Sequence, residues 1–310
     1  MTKKERGFPL INQPLKENSD LGVVNPHFLL FLVSLIWGFN FSVIKAGIMA
    51  FGPLSFTFIR FVLSSFFMGF VLWRREDNFW IEKKDLPYFI WLALLGFGIY
   101  QPLWSWGLKL TLASHSAVIL SLSPLVVYLV VFFYREEKVG AKNLLGVVLG
   151  FLGVLLLARP GDTSHAGDIF WGDLLTLGAA ICWGLYGYFS KKMLQKYSPL
   201  KTSTWSVFLG VFFLFPVCYF ELTTVQWSHF NGLVIFSLLY GSILASLVAY
   251  ILWLNGVQKI GASRTSAYQY LIQVIGVVAA WIIYQDPVGW NLLSGMALIS
   301  LGLWLTQAKA

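Results

Sequence analysis

Ten apolar segments of about 20 residues each, the length that crosses a hydrocarbon core of roughly 30 Å, constrain this chain more than any other feature. They fall near 28–48, 54–73, 87–107, 114–134, 142–158, 170–190, 201–220, 232–254, 264–284 and 289–307. Turn chemistry and charge divide them at Gly52-Pro53, Arg74 to Asp85, Arg135 to Lys138, Arg159-Pro160-Gly161, Ser198-Pro199 and Asp286-Pro287. Runs this long lack the alternation of a barrel strand, so the expected fold class is an all-α membrane protein with ten transmembrane helices. Composition agrees. Only 12% of the 310 residues are charged, too few to cover a water-soluble globule, whose share is roughly 25%.

The formal net charge of +8 would suggest nucleic acid in a soluble domain, but basic residues also collect in the cytoplasmic loops of membrane proteins. Of the 22 Lys and Arg, eighteen lie in the N-terminal tail, the even-numbered loops and the C-terminal tail. Lys45, Lys109 and Arg159 lie on the other side, and Arg60 is within a span. Both termini are therefore expected in the cytoplasm, with no nucleic-acid partner. Residues 1–27 are polar and read as a flexible cytoplasmic tail, without the apolar run of a signal peptide. Cys182 and Cys218 have no CxxC or Cys/His company, so no disulfide scaffold, metal or cofactor is expected.

The chain also repeats itself. At an offset of 146, Trp37-Gly38 aligns with Trp183-Gly184, Lys45 with Lys191 and Pro53-Leu54 with Pro199-Leu200. At an offset of 149, Trp104 aligns with Trp253, Gly107 with Gly256, Ala113-Ser114 with Ala262-Ser263, and Gly140, Gly146 and Gly153 with Gly289, Gly295 and Gly302. Residues 28–158 and 170–307 thus read as two five-helix repeats. Five is odd, so the second repeat enters the membrane from the opposite face. Two inverted repeats are the recurring plan of secondary transporters, in which a site near the midplane opens to either side.

The segments WGFNFSVIK, PLSFTFIRF, ASHSAVILSLSPL and WGLYGYFSK, together with the ten-span repeat, resemble the drug/metabolite transporter superfamily and within it the EamA-type exporters. The resemblance spans about residues 28 to 307 and implies a bacterial inner-membrane exporter. Two positions depart from the family pattern: Gln273 stands where a Pro matching Pro124 is usual, and Asp286 where a Glu matching Glu137 is usual.

Polar groups inside spans are the candidates for substrate contact, because each costs free energy unless it faces a partner or a watery cavity. Ser266, Gln269, Tyr270 and Gln273 share one face of the ninth span, and Ser242, Ser246, Tyr250 and Trp253 share one of the eighth. Trp37 with Asn40, Gln101 with Trp104, and Trp183 with Tyr186 pair an aromatic plane with a neighbour in spans one, three and six. Trp37 and Trp183 lie too deep for the headgroup belt. The competing reading for these residues is helix packing. Arg60, about 10 Å past Pro53, is expected to snorkel outward, and since the resembled family also has an Arg there a structural role fits it as well as a substrate one; Asp173 is placed in the first turns of span six, a structural acid complementing its dipole; and His115 is placed at a solvated helix start.

No carboxylate is expected deep in a span, which disfavours a cationic drug, and no deep cation in spans eight to ten, which disfavours a sugar phosphate. Amides, phenols and indoles suit a small neutral or zwitterionic metabolite, an amino acid first, aromatic ones among them. A drug or another metabolite is the alternative within the superfamily. A membrane-embedded scaffold or a lipid flippase is the alternative outside it. The chain carries no Walker A, HExxH or GxSxG motif, so an enzyme is not expected. Without a deep carboxylate, facilitated exchange is favoured over proton coupling, with His115 the remaining proton carrier. The glycines of span five leave both a monomer and a homodimer open.

Overall fold

A computed structural model describes residues 25–133, 141–157, 166–225, 227–261, 265 and 268–307. Most of the N-terminal tail, the fourth and fifth loops, and Ser266 fall outside these. The described residues form ten helical spans: α1 (Pro26–Phe51), α2 (Pro53–Arg75), α3 (Lys83–Leu110), α4 (Ala113–Leu120 and Ser123–Phe133), α5 (Ala141–Leu157), α6 (Ala166–Leu194), α7 (Pro199–Thr224), α8 (Gly232–Ile260), α9 (Gln269–Tyr284) and α10 (Trp290–Gln307). Seven are long and apolar enough by themselves to cross a membrane; α5, α9 and α10 are shorter in their described extent.

Local chemistry sets the boundaries. Asn25 Oδ1 accepts from His27 N in front of Pro26, and Ser198 Oγ accepts from Lys201 N in front of Pro199, so α1 and α7 each start on a side-chain cap followed by a proline that needs no donor. Between α1 and α2 the chain turns at Gly52, whose φ of 90° a residue with a Cβ rarely adopts. The first amides of α2 are satisfied from the other half of the chain: Glu221 Oε1 accepts from Leu54 N at 2.9 Å and Ser55 N at 2.8 Å. A carboxylate suits that helix terminus, because the unpaired N–H groups concentrate positive charge there.

The repeat is visible in packing and in backbone. α1 packs on α8 and α9 as α6 packs on α3 and α4, while α2 meets α7 and α5 meets α10. Both α3 and α8 widen into a π-helical stretch, at Leu94–Ile99 and Tyr240–Val248, places related by the sequence offset of 149. Such stretches recur where a helix serves a site rather than the core. The break at Ser121–Leu122 in α4 precedes Pro124. In the second half, α9 begins at Gln269 after a turn at Tyr268, without a proline.

The glycines of α5 are occupied within the chain. A Cβ on Gly153 would lie 2.8 Å from the Gly295 carbonyl, and one on Gly302 would lie 2.4 Å from that of Gly146, so α5 and α10 approach backbone to backbone. Outward, Phe66, Trp73, Phe220 and Trp290 are more than half exposed, as lipid-facing residues require.

Polar contacts join the halves at both ends of the bundle. At the end formed by the even-numbered loops, Lys196 bridges Glu82 and Asp85, each at 2.6 Å, and Lys201 meets Glu76 at 2.9 Å. The hydrogen bond from Lys196 holds the Glu82 carboxyl below its usual range. At the end formed by the odd-numbered loops, Asp286 Oδ2 accepts from Ser114 N and Oγ, both at 3.0 Å, capping α4 across the repeat boundary. Asp173 belongs to the same end: it follows Asp168 by little more than a turn in α6, is 1% exposed and accepts a hydrogen bond from Thr111. His115 is likewise not solvated; its Nδ1 lies 3.0 Å from Asp173 Oδ2 with 14% of the side chain exposed.

Candidate functional site

At mid-bundle the two halves leave a crevice, partly open to solvent, with about 60 Å³ of water-accessible space. That is room for a few waters in this form. Helices α1, α3, α6, α8 and α9 supply Trp37, Asn40, Gln101, Trp104, Trp183, Tyr250 and Gln269 to its wall. The serines aside, seven of the eleven residues expected from sequence thus converge on one space, and Ser246 joins them.

The apolar wall is a lattice of rings. Trp37 meets Trp183 and Tyr250 edge to face, with centroids 5.6 Å apart in both cases. Trp183 stacks on Tyr100 at 5.5 Å and on Tyr186 at 5.4 Å and meets Tyr250 edge-on at 5.6 Å. These are favoured aromatic geometries, so the planes hold one another in place. The Trp37 indole donates to the Ala245 carbonyl at 2.9 Å. That carbonyl lies in the π-helical stretch of α8.

The polar wall is built around Gln101. Its Oε1 accepts from Arg60 Nη2 at 2.8 Å, and its Nε2 faces the Tyr250 hydroxyl at 3.4 Å. Gln101 and Tyr250 are equivalent under the 149-residue offset, so this contact lies across the pseudo-symmetry of the repeats.

The other four expected residues lie elsewhere. Trp253 stands behind Trp37, with ring centroids 5.1 Å apart, and lines a second crevice with Ser123, Pro124, Gly187 and Val257. Trp183 and Gln269 line both crevices, and the second runs toward the end of the even-numbered loops. Tyr186 is fully buried against the space left by Gly96, supporting Trp183 from behind. Gln273 is taken up in packing: its Oε1 accepts from Ser121 Oγ at 2.7 Å and its Nε2 donates to Ser300 Oγ at 2.8 Å, tying α9 to α4 and α10. The Tyr270 side chain lies outside what the structure describes.

Arg60 departs most from expectation. It does not snorkel to the interface: it is 3% exposed, lines the crevice, and lies over the rings of Phe61 and Trp104 at 4.3 and 5.6 Å. The reason is Gly241 on α8. A Cβ there would fall 2.5 Å from Arg60 Cδ, so the missing side chain is the slot in which the aliphatic stem lies. Tyr100, Phe41, Leu120 and Ile272 complete the wall and were also not singled out by sequence reasoning. Tyr100 neighbours Gln101 and carries a hydroxyl, which is the signal that could have found it. The other three are apolar residues in apolar spans and offer none.

The description "EamA-like transporter family" matches residues 25–159 and 170–307, one match per repeat. An uncharacterized transporter of Bacillus subtilis, YyaM, is 27% identical over 284 residues, covering 90% of this chain and 92% of that protein. A "probable amino-acid metabolite efflux pump" of Salmonella typhimurium is 26% identical over 299 residues, covering 90% and 93%. The protein of the same description from Escherichia coli is 25% identical, covering 89% and 93%. One crystal structure superposes with a TM-score of 0.64 over 90% of this chain and 95% of the other, at 16% identity, a likeness of fold.

Proposed function

We propose that this chain, which belongs to the EamA-like transporter family, exports a small neutral or zwitterionic metabolite, an apolar or aromatic amino acid first of all, by alternating access across a bacterial inner membrane. The observation that carries the reading is the crevice at the repeat boundary. It joins indole and phenol planes to amides, a surface suited to an amphipathic solute and poorly suited to a bare ion. The names of the Salmonella and Escherichia relatives support the same substrate class.

Alternating access requires two closures that are not made together. The contacts available for these closures are Asp286 on Ser114 and His115 on Asp173 at the odd-numbered-loop end, and Lys196 on Glu82 and Asp85 at the even-numbered-loop end. With the termini in the cytoplasm, as the distribution of basic residues indicates, the odd-numbered-loop end is the one that faces outward. Reporter fusions after residue 310 and in the second loop should then report cytoplasm, and fusions near Thr163 the far side. A C-terminus found outside would contradict this orientation.

Export itself is tested by tolerance to a toxic amino-acid analogue. Cells expressing the chain should grow at concentrations of p-fluorophenylalanine that stop control cells, and unchanged sensitivity would contradict an aromatic amino acid as cargo. For energetics, no carboxylate lines the crevice among the described residues, which favours exchange driven by the solute's own gradient. The pairing of His115 with Asp173 favours a second reading, coupling to protons, which pH-gradient-driven efflux lost in His115→Ala would support.

A further inference from the structure

The guanidinium of Arg60 is 97% removed from solvent at the centre of the bundle, yet among the described residues no carboxylate pairs with it. Gln101 Oε1 takes one of its five N–H groups, the rings of Phe61 and Trp104 face the charge, and Nε has no hydrogen-bond partner. A buried charge left in this state is expensive, and such groups are ordinarily paired or face a ligand. A second donor of the same wall, Trp104 Nε1, is also buried without a partner, as is one acceptor, Asn40 Oδ1.

The repeat does not require this charge. Under the 146-residue offset Arg60 corresponds to Ser206, which turns its hydroxyl back onto the Thr202 carbonyl. One half therefore carries a cation, and the other half carries none at the equivalent place.

Resting on the reading of the crevice as a transport site, we propose that Arg60 and Trp104 form the subsite for a carboxylate of the substrate, with the body of the substrate lying against Trp37, Tyr100, Trp183 and Tyr250. A carboxylate presents two acceptors to the guanidinium and indole N–H groups. A phosphate is the poorer fit, since among the described residues the wall offers a single cation for a group that carries up to two charges. Asn40 Oδ1 is the acceptor available to an ammonium group on the same solute, which makes an α-amino acid the complete ligand.

Thermal-shift titration of detergent-purified protein with L-phenylalanine, L-phenylalaninamide, 3-phenylpropionate and phenethylamine separates these elements. Charge-assisted bonds of this kind should make both acids bind about tenfold or more tightly than the amide or the amine. Arg60→Gln should erase the preference, and Arg60→Lys, which keeps the charge but loses the fork, should retain part of it. Where Arg60→Gln does not fold, the acid-to-amide ratio of the unsubstituted protein and its fall in Arg60→Lys decide the matter. Equal binding of acid and amide, an acid preference that survives Arg60→Gln, or no stabilisation by either acid would overturn the proposal. If 3-phenylpropionate binds as tightly as phenylalanine and Arg60→Gln removes both, the carboxylate subsite stands while the zwitterion falls. Fluorophenylalanine tolerance together with tight binding of the amide would instead remove Arg60 and leave the exporter.

Discussion

Trp183→Ala should reduce transport of an aromatic amino acid by at least about tenfold, whereas Trp183→Phe should keep a substantial part of it. Trp183 is the ring on which the wall turns: it contacts Trp37, Tyr100, Tyr186 and Tyr250, with centroids 5.4 to 5.6 Å away, and it lines both crevices. Each such contact contributes about 0.5–1.5 kcal/mol beyond burial, so alanine removes several at once and unpins the neighbouring planes. Phenylalanine restores one plane and most of the stacking on Tyr100. Membrane abundance and melting temperature, measured beside transport, distinguish a lost site from a lost fold. Transport at the unsubstituted rate in a well-folded Trp183→Ala would remove this crevice from the path.

A second pair of substitutions should have opposite signatures although both fall on one face of α9. Gln269→Leu should weaken solute binding by about tenfold with little change in melting temperature, because Gln269 lines the crevice and an apolar replacement removes its capacity to bond a solute. Gln273→Leu should lower the melting temperature and leave the dissociation constant nearly unchanged, because it removes the amide that joins Ser121 to Ser300, while Ser121 keeps its bond to the Val118 carbonyl. Each hydrogen bond lost in this way costs about 0.5–1.5 kcal/mol. Loss of binding by Gln273→Leu at constant melting temperature would return that residue to the transport path.

These two glutamines mark the limit of what the sequence can show. Helical spacing places Gln269 and Gln273 on one face, but that face crosses several neighbours along its length, and one turn is enough to pass from a crevice to a packed seam. The spans and their repeat were legible because lipid demands a long apolar run and because paired Trp, Gly and Pro stand out against Leu and Val. Trp37 and Trp183 were legible for the same reason, as aromatic residues at one offset that the fold brings together. Arg60 was not: distance along a helix gives its depth, while the direction of its side chain is set by Gly241, 181 residues away in sequence. The pairing of His115 with Asp173 was missed in the same manner, since it depends on how α4 and α6 lie together.

The central claim is that the crevice between the repeats is a solute carrier's binding site, and counterflow in proteoliposomes tests it most directly. Vesicles loaded with unlabelled L-phenylalanine and diluted into labelled L-phenylalanine, with no pH gradient, should accumulate label transiently above its equilibrium level, and vesicles made with Trp183→Ala should not. Label that never exceeds the level in protein-free vesicles, or counterflow unaffected by Trp183→Ala, would contradict the account.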